Sequence, residues 1–329
     1  MSRVGLVLGG GGITGASFEM ATLMALELAT GWSANDADVI VGTSSGAFVA
    51  SLVRHDALEL DSLVGPQDDR EDVTERIRNH VFSKGPGTGI VPWVRHGVLP
   101  GVRRPGLNLF MGAPAPYHAR GLADWVVSQI GPEAADSWPT RPTAIVAHDI
   151  TTQTRVAFGT ETAPDVAVAD AVAASSAIPL LFRPYRIGDG LYVDGGVASG
   201  THADLVLGSP GPLDLVVVVA PLASAALRRR ARFHEKMFDR VSSRSLSEEL
   251  DMIRDAWPHC DIVTLFPPPS VQSVARPNPM DPNRSVPTFM RTLIAMKREL
   301  ARPEIWEPLS HHLARGRSRR KAASSRPVA

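Results

Sequence analysis

The sequence predicts an α/β fold in which a central, mostly parallel sheet is flanked by helices. Residues 3–8 (RVGLVL) form a short apolar run, followed by glycines and by a helical pattern over 16–28. The same order of strand, tight turn and helix repeats over 38–42 and 47–53. Two such units in succession predict parallel strands joined by crossovers, which is the basis of an α/β sheet.

The rest of the chain extends this plan. Residues 215–219 (LVVVV) have the continuous apolar character of a strand buried on both faces. Further predicted elements are a helix at 121–130, strands at 143–150 and 155–159, a helix at 165–175, a hairpin at 185–193, a charged helix after 222, a strand at 262–266 and a helix at 287–300. Residues 55–116 are interrupted by many glycines and prolines, and we interpret them as an irregular insertion that either lines the substrate site or has no ligand role.

Three parts of the chain are distinguished by pattern and composition. Residues 4–207 are expected to form one domain, and residues 208–312 a C-terminal α/β extension that packs on the same core. Residues 313–329 are rich in arginine and are expected to be a disordered basic tail. A second basic cluster lies at 228–232. We interpret both clusters as solvated charge, with contact to a membrane surface as the alternative.

Composition excludes several classes of protein. The 34 Lys and Arg residues balance the 34 Asp and Glu residues, so nothing indicates a nucleic-acid partner. Cys260 is the only cysteine, which excludes an intrachain disulfide and favours a cytoplasmic location. The strongest apolar run, 213–222, is far shorter than the roughly 20 residues that span a bilayer. Any membrane contact is therefore expected to be peripheral, at the inner membrane surface.

A serine-containing turn follows the second predicted strand. Residues 42–46 (GTSSG) lie where this strand turns into a helix, and a serine at the centre of such a turn presents its hydroxyl above the sheet. Ser44 is therefore predicted to be a nucleophile, with Gly42 and Gly46 allowing the backbone to pack closely. A turn that caps a helix and a phosphate-binding loop are the alternatives.

A glycine-rich loop (GGGGITG) follows the first predicted strand. The backbone N–H groups of Gly10, Gly11 and Gly12 can point into one cavity, where they would bind a phosphate or stabilise an oxyanion. Glycines 10, 12 and 15 also match the dinucleotide-binding fingerprint. That fingerprint requires an acidic residue at the end of the second strand, where this chain has Gly42. The dinucleotide interpretation is therefore disfavoured.

A nucleophilic serine needs a base. None of the ten histidines has a recognisable catalytic setting, and the best two, His148 and His202, are interpreted as ordinary surface or helix-end residues. The strongest carboxylate is Asp194, which ends a predicted strand and precedes Gly195 and Gly196. Taken alone, an Asp-Gly pair usually marks only a turn. No spacing typical of metal ligands is visible, so no metal is expected.

Together, these motifs resemble those of the patatin-like phospholipases. The glycine-rich loop, the serine elbow and a downstream Asp-Gly-Gly occur in the order typical of that family. Residues 173–179 (AASSAIP), with Phe182 and Pro184, are similar to the family's segment before the aspartate. The resemblance extends from about residue 4 to residue 207.

The resemblance implies a three-layer α/β/α fold and a serine lipid acyl hydrolase, a phospholipase or carboxylesterase that uses a Ser-Asp dyad and no cofactor. Ser44 would attack the ester to give an acyl-enzyme, and Asp194 would be its base. The implied oxyanion hole is Gly10, Gly11 and Gly12, and the implied supporting glycines are Gly15, Gly42, Gly46, Gly195 and Gly196.

Two further expectations accompany this assignment. An aspartate that accepts the serine proton directly must be partly desolvated, so Asp194 is predicted to be buried beside Ser44. The family's loop commonly has a basic residue where this chain has Thr14, which leaves the preference for phospholipids open. The alternative function is a non-catalytic acyl- or phosphate-binding module, which would have no need of both a serine and an aspartate.

Overall fold

The computed structural model describes residues 2–58, 72–84, 111–223 and 233–313. Within them, eight strands form one sheet. In chain order these are β1 (Val4–Leu8), β2 (Val39–Thr43), β3 (Thr143–Asp149), β4 (Thr154–Phe158), β5 (Tyr185–Ile187), β6 (Gly190–Asp194), β7 (Leu215–Val219) and β8 (Asp261–Leu265). Hydrogen-bonded neighbours follow the order β5-β6-β3-β2-β1-β7-β8, and β4 also pairs with β3. The pairs among β1, β2, β3, β7 and β8 are parallel, which confirms the predicted, mostly parallel sheet.

Helices connect these strands. In chain order they are α1 (Gly12–Thr30), α2 (Ser45–Arg54), α3 (Val73–Val81), α4 (Arg120–Ile130), α5 (Pro132–Asp136), α6 (Val168–Ser175), α7 (Phe233–Ala256), α8 (Pro269–Ala275), α9 (Ser285–Glu299) and α10 (Pro303–Leu313). Short 3-10 helices follow β6 and precede β7.

The sheet is covered by helices on both faces. Along β1, Leu6 and Leu8 belong to the core that contains the buried sides of α1, α2 and α9. Val7, which points the other way, packs in a second core with Leu246 and Ile253 of α7. Side chains alternate across a strand, so a strand buried on both faces must be apolar at every position. This is why β1 and β7 appear as uninterrupted apolar runs in the sequence.

The ends of β2 and β6 meet beside β3. Strand β4 pairs with residues 145–149 of β3 and so occupies one edge of that strand. On the other edge, β2 pairs with residues 143–146 and β6 with residues 147–149. Thr43, the last residue of β2, pairs with Val146, and Asp194, the last residue of β6, pairs with the next residue, Ala147. The chain segments that leave these two strands therefore start side by side.

The structure differs from the sequence prediction at several boundaries. Helix α1 begins at Gly12, four residues before the predicted start, because the glycine loop runs directly into it. The predicted irregular insertion contains helix α3, which packs against α4; residues 59–71 and 85–110 of it lie outside the described residues. Helices α8 and α10 were not predicted, because both begin at prolines, which the first turn of a helix tolerates.

The C-terminal part shares the sheet of the N-terminal part. Strand β7 pairs with β1 in the centre of the sheet and β8 pairs with β7. Helix α9 packs along α1, and the hydroxyls of Ser17 and Ser285 are 2.9 Å apart. The basic segments at 228–232 and 314–329 lie outside the described residues. No helix in the described ranges combines the length and the apolar character needed to cross a bilayer.

Candidate active site

Ser44 occupies a sharp turn between β2 and α2. Its backbone has φ 55° and ψ −119°, a conformation that costs a non-glycine residue about 1–3 kcal/mol. The glycines on either side are sterically required. A Cβ at Gly46 would overlap the carbonyl oxygen of Leu8, and a Cβ at Gly42 would lie 2.7 Å from the carbonyl oxygen of Gly46. The turn thus holds a serine in a strained conformation that only this glycine pattern permits.

Two serines at the end of α6 fix the backbone of Ser44. The N–H of Ser44 donates to Ser175 Oγ at 2.8 Å, and that hydroxyl donates to the carbonyl oxygen of Val146 at 2.6 Å. The hydroxyl of Ser176 donates to the carbonyl oxygen of Ser44 at 3.2 Å. The sequence shows this pair of serines within the segment 173–179, but their contact with the turn depends on a separation of 131 residues along the chain. This role of the two serines was therefore not predictable from the sequence.

Asp194 lies against Ser44. Ser44 Oγ donates a hydrogen bond of 2.6 Å to Asp194 Oδ2, and the N–H of Gly196 donates to Oδ1 at 2.7 Å. The N–H of Asp194 donates to the carbonyl oxygen of Ala177 at 3.0 Å, which fixes the end of β6. Both side chains are buried, each residue being 5% exposed. The hydroxyl and the carboxylate are therefore held in direct contact and away from bulk water.

Burial raises the pKa of Asp194 to about 6. Loss of water disfavours the charged carboxylate, and the hydrogen bonds from Ser44 and Gly196 offset this effect only in part. The carboxylate is therefore more basic than an exposed aspartate but is still largely ionised at pH 7. A group of this kind can accept a proton from a neighbouring hydroxyl during a reaction near neutral pH.

The glycine loop lies beside Ser44. A Cβ built at Gly10 would lie 3.3 Å from the Cβ of Ser44. The N–H of Gly10 donates to the carbonyl oxygen of Gly200 at 2.8 Å. Gly10 is therefore not available as an oxyanion-hole donor, contrary to the prediction. The N–H groups of Gly11 and Gly12 have no acceptor within the described part of the chain. They stand at the N-terminus of α1, where the helix dipole favours negative charge.

A segment of the C-terminal part supports this loop. The N–H of Thr14 donates to the carbonyl oxygen of Pro279 at 3.0 Å, and the Thr14 side chain is buried. A Cβ at Gly12, whose φ is 63°, would lie 2.7 Å from the sulfur of Met280. Gly15 packs close to Pro221. The position where the family commonly has a basic residue is thus enclosed by protein, and backbone contacts hold the loop.

An apolar cavity opens at Ser44. It has a volume of about 630 Å³, including its open mouth, and its walls come from α1, α2, α3, α4 and the segment after α6. Apolar side chains such as Met20, Phe48, Val81 and Trp125 line it, and none of its lining residues carries a charge. Cavities of this kind bury apolar ligands. The nucleophile candidate therefore faces a space suited to a hydrocarbon chain.

His202 is buried and is the N-cap of the short 3-10 helix Ala203–Gly208, so it occupies the predicted helix end but not the surface. Burial lowers its pKa to about 4, so the ring is neutral. Its Nε2–H donates to the carbonyl oxygen of Gly195 at 3.0 Å, and Nδ1 accepts from Arg155. Gly195 itself packs against the backbone of β3. The imidazole thus holds the turn after Asp194 and makes no hydrogen bond to the dyad. His148 is half-buried on β3.

One cluster of potential metal ligands exists in the described ranges, formed by His202, Asp204 and Glu249. Its atoms are already engaged. Arg155 donates two hydrogen bonds to Asp204, and Glu249 accepts from the hydroxyls of two residues and from a backbone N–H. The cluster is therefore a network that fixes the chain after β6.

Comparisons with known proteins place this geometry in context. The family profile described as "Patatin-like phospholipase" matches residues 6–207. A solved structure, that of VipD from Legionella pneumophila, is similar with 15% sequence identity and a TM-score of 0.41, covering 95% of this chain and 67% of that chain. No curated protein matches the chain significantly.

Proposed function

This chain belongs to the patatin-like phospholipase family, whose members act on lipid esters, and on that premise we propose that it is a serine lipid acyl hydrolase with Ser44 and Asp194 as its catalytic dyad. The observation that carries the proposal is the 2.6 Å hydrogen bond from Ser44 Oγ to Asp194 Oδ2, with Ser44 lining an apolar cavity.

The first step is acyl transfer to Ser44. Its Oγ attacks the ester carbonyl carbon while its proton passes to Asp194 Oδ2 along the existing hydrogen bond. The tetrahedral intermediate carries a negative oxygen, which the N–H groups of Gly11 and Gly12 would stabilise together with the N-terminus of α1. Collapse of the intermediate breaks the ester bond, and Asp194 returns the proton to the departing alcohol.

The second step is hydrolysis of the acyl-enzyme. Water replaces the alcohol, and Asp194 accepts one of its protons as the water oxygen attacks the acyl carbonyl. The intermediate releases the fatty acid and Ser44 Oγ regains a proton from Asp194. The other carboxylate oxygen stays bonded to the N–H of Gly196 throughout, which keeps the side chain oriented. These steps require neither a metal nor an organic cofactor.

The proposed substrate is an ester of a fatty acid. The cavity walls are apolar and uncharged, so they favour a hydrocarbon chain, with the ester placed at Ser44. A non-catalytic acyl-binding module would use the same cavity. It would have no need of a strained serine bonded to a buried carboxylate, two features that each cost folding free energy.

We also propose that residues 4–207 act as the catalytic unit and that residues 208–312 complete it. Pro279 from the second part bonds the glycine loop, and β7 pairs with β1. The proposed location is the cytoplasm, with peripheral contact to a membrane where the substrate is lipid.

The test uses a fluorophosphonate probe and p-nitrophenyl esters of short and long acyl chains. Wild-type protein should be labelled and should hydrolyse the esters, Ser44→Ala should do neither, and Asp194→Asn should lose hydrolysis. Ser51→Ala is the matched control, because Ser51 is a buried serine of α2 whose hydroxyl bonds only the carbonyl oxygen of Phe48. If Ser44→Ala hydrolyses as fast as the control variant, the proposed dyad is wrong.

A further inference from the structure

The exposed face of α9 has an unusual composition. Seven of its residues are exposed, and every one is either apolar or basic: Val286, Pro287, Met290, Arg291, Ile294, Lys297 and Arg298. The exposed face of a helix in water normally carries polar groups, with acids among them. On this face the three cations are the only polar side chains, and no acid is exposed.

The apolar residues form a stripe along the helix. Val286, Met290 and Ile294 are spaced by four residues, so they lie nearly in line on one face. Met290 is 51% exposed and Ile294 is 66% exposed. The opposite face of α9 is buried, with Phe289 and Met296 in the core beside α1. The exposed apolar stripe is thus separate from the buried apolar face by which α9 packs into the core.

The basic residues of this face make no ion pair within the described residues. Neighbouring arginines do: Arg284 pairs with Asp281, and Arg302 pairs with two glutamates. No such partner is found for Arg291, Lys297 or Arg298 in the same part of the structure. The face therefore combines unpaired positive charge with exposed hydrocarbon. That combination is typical of helices that lie in the interface of an anionic membrane.

The stripe begins next to a residue that lines the substrate cavity. Ser285, the first residue of α9, and Met280 both line the cavity that opens at Ser44. Val286, the first residue of the stripe, follows Ser285 directly. A bilayer in contact with this face would therefore lie close to the wall of the cavity that holds Ser44.

We propose that the exposed face of α9 is the surface on which the protein docks to anionic lipid bilayers, an inference that rests on the proposed function for its biological purpose. A second copy of this chain fits the face less well. In a symmetric dimer built on it, the same three cations would meet across the two-fold axis and repel. An anionic bilayer offers negative head groups to the cations and hydrocarbon to the stripe.

Vesicle flotation with the Ser44→Ala protein tests docking without turnover. We expect binding to phosphatidylcholine vesicles that contain phosphatidylserine, and weaker binding to pure phosphatidylcholine. The double variant Met290→Glu and Ile294→Glu should lower affinity at least tenfold, because it removes buried hydrocarbon and adds repulsion. Replacing Lys297 and Arg298 with Gln should lower affinity about fivefold for each charge. Met252→Glu is the control: Met252 is 50% exposed on α7, across the sheet.

Three outcomes overturn the inference. In the first, the Ser44→Ala protein does not bind the anionic vesicles. In the second, the double variant binds them as well as Met252→Glu does. In the third, the wild type is a dimer that the double variant dissociates, which makes the face an interface between copies. The docking variants are also made with Ser44 intact, and their hydrolysis of a soluble short-chain ester is measured. This measurement separates the proposed ester hydrolysis from the proposed docking. Docking that persists in a protein without ester hydrolysis would reject the proposed function alone. Retained hydrolysis with no docking would reject this inference alone.

Discussion

The raised pKa of Asp194 predicts an unusual dependence of stability on pH. The change that reveals it is Asp194→Asn, which keeps the shape of the side chain and removes its ionisation. In the folded protein the pKa of Asp194 is about 6, compared with 3.8 for an unperturbed aspartate. A folded-state pKa above the unfolded value means that folding favours the protonated form. The wild type must therefore lose stability as pH rises from about 4 to about 6, through the two pKa values.

The magnitude follows from the size of the shift. The two pKa values differ by about two units, and each unit corresponds to 1.36 kcal/mol, so ionisation of Asp194 costs about 3 kcal/mol of folding free energy above pH 6. The uncharged amide of the variant carries no such cost. The free energy of unfolding of Asp194→Asn, relative to wild type, should rise by about 3 kcal/mol between pH 4 and pH 7. Enzymatic activity should be lost at every pH.

Urea unfolding at a series of pH values measures this difference. Asp189→Asn, which changes an exposed aspartate in the turn between β5 and β6, is the control for general charge effects. The kcat/KM of the wild type should rise with pH and level off above an apparent pKa near 6, because Asp194 must be ionised to act as base. A stability difference that stays flat, or falls, between pH 4 and pH 7 would refute the reasoning about burial.

Two other predictions concern the surroundings of Ser44. Ser175→Ala leaves the Ser44 N–H and a carbonyl of β3 without their partner, so stability should fall by about 2 kcal/mol and kcat should fall with little change in KM. The control in urea unfolding and ester kinetics is Ser128→Ala, because the Ser128 hydroxyl bonds Trp125 and Gln129 of its own helix and no residue of the site. Ala16→Phe narrows the cavity and should raise KM roughly tenfold or more for long-chain esters but little for short-chain esters. The control Ala25→Phe, on α1 outside the cavity, should leave both KM values nearly unchanged. Equal effects of Ala16→Phe on both esters would contradict the assigned acyl site.

Much of the fold was predictable because local sequence rules apply to it. Continuous apolar runs identified β1 and β7, and glycines after the first two strands identified the turns. Helices α8 and α10 were missed because proline, usually a sign of a break, is tolerated in their first turns. Within the candidate site, the turn around Ser44 follows a local rule as well, since a serine flanked by glycines directly after a strand is typical of a nucleophile turn.

The pairing of Ser44 with Asp194 follows no local rule. An Asp-Gly-Gly sequence taken alone indicates only a turn, and it was the order of three motifs that pointed to the aspartate. In the structure, the contact arises because β2 and β6 end beside each other on one edge of β3. Likewise, His202 was interpreted as an ordinary surface or helix-end residue, because nothing near it in sequence reveals the hydrogen bond from its buried ring to the carbonyl oxygen of Gly195.

The sequence by itself thus determined the order of the strands, the strained serine turn and the balance of charge, because each depends on neighbouring residues. Only the tertiary structure decided which N–H groups of the glycine loop are free, that Ser175 and Ser176 fix the nucleophile, and that the pKa of Asp194 is raised. Hydrogen-bond partners and desolvation depend on atoms brought together from distant parts of the chain, and no periodicity in the sequence records them.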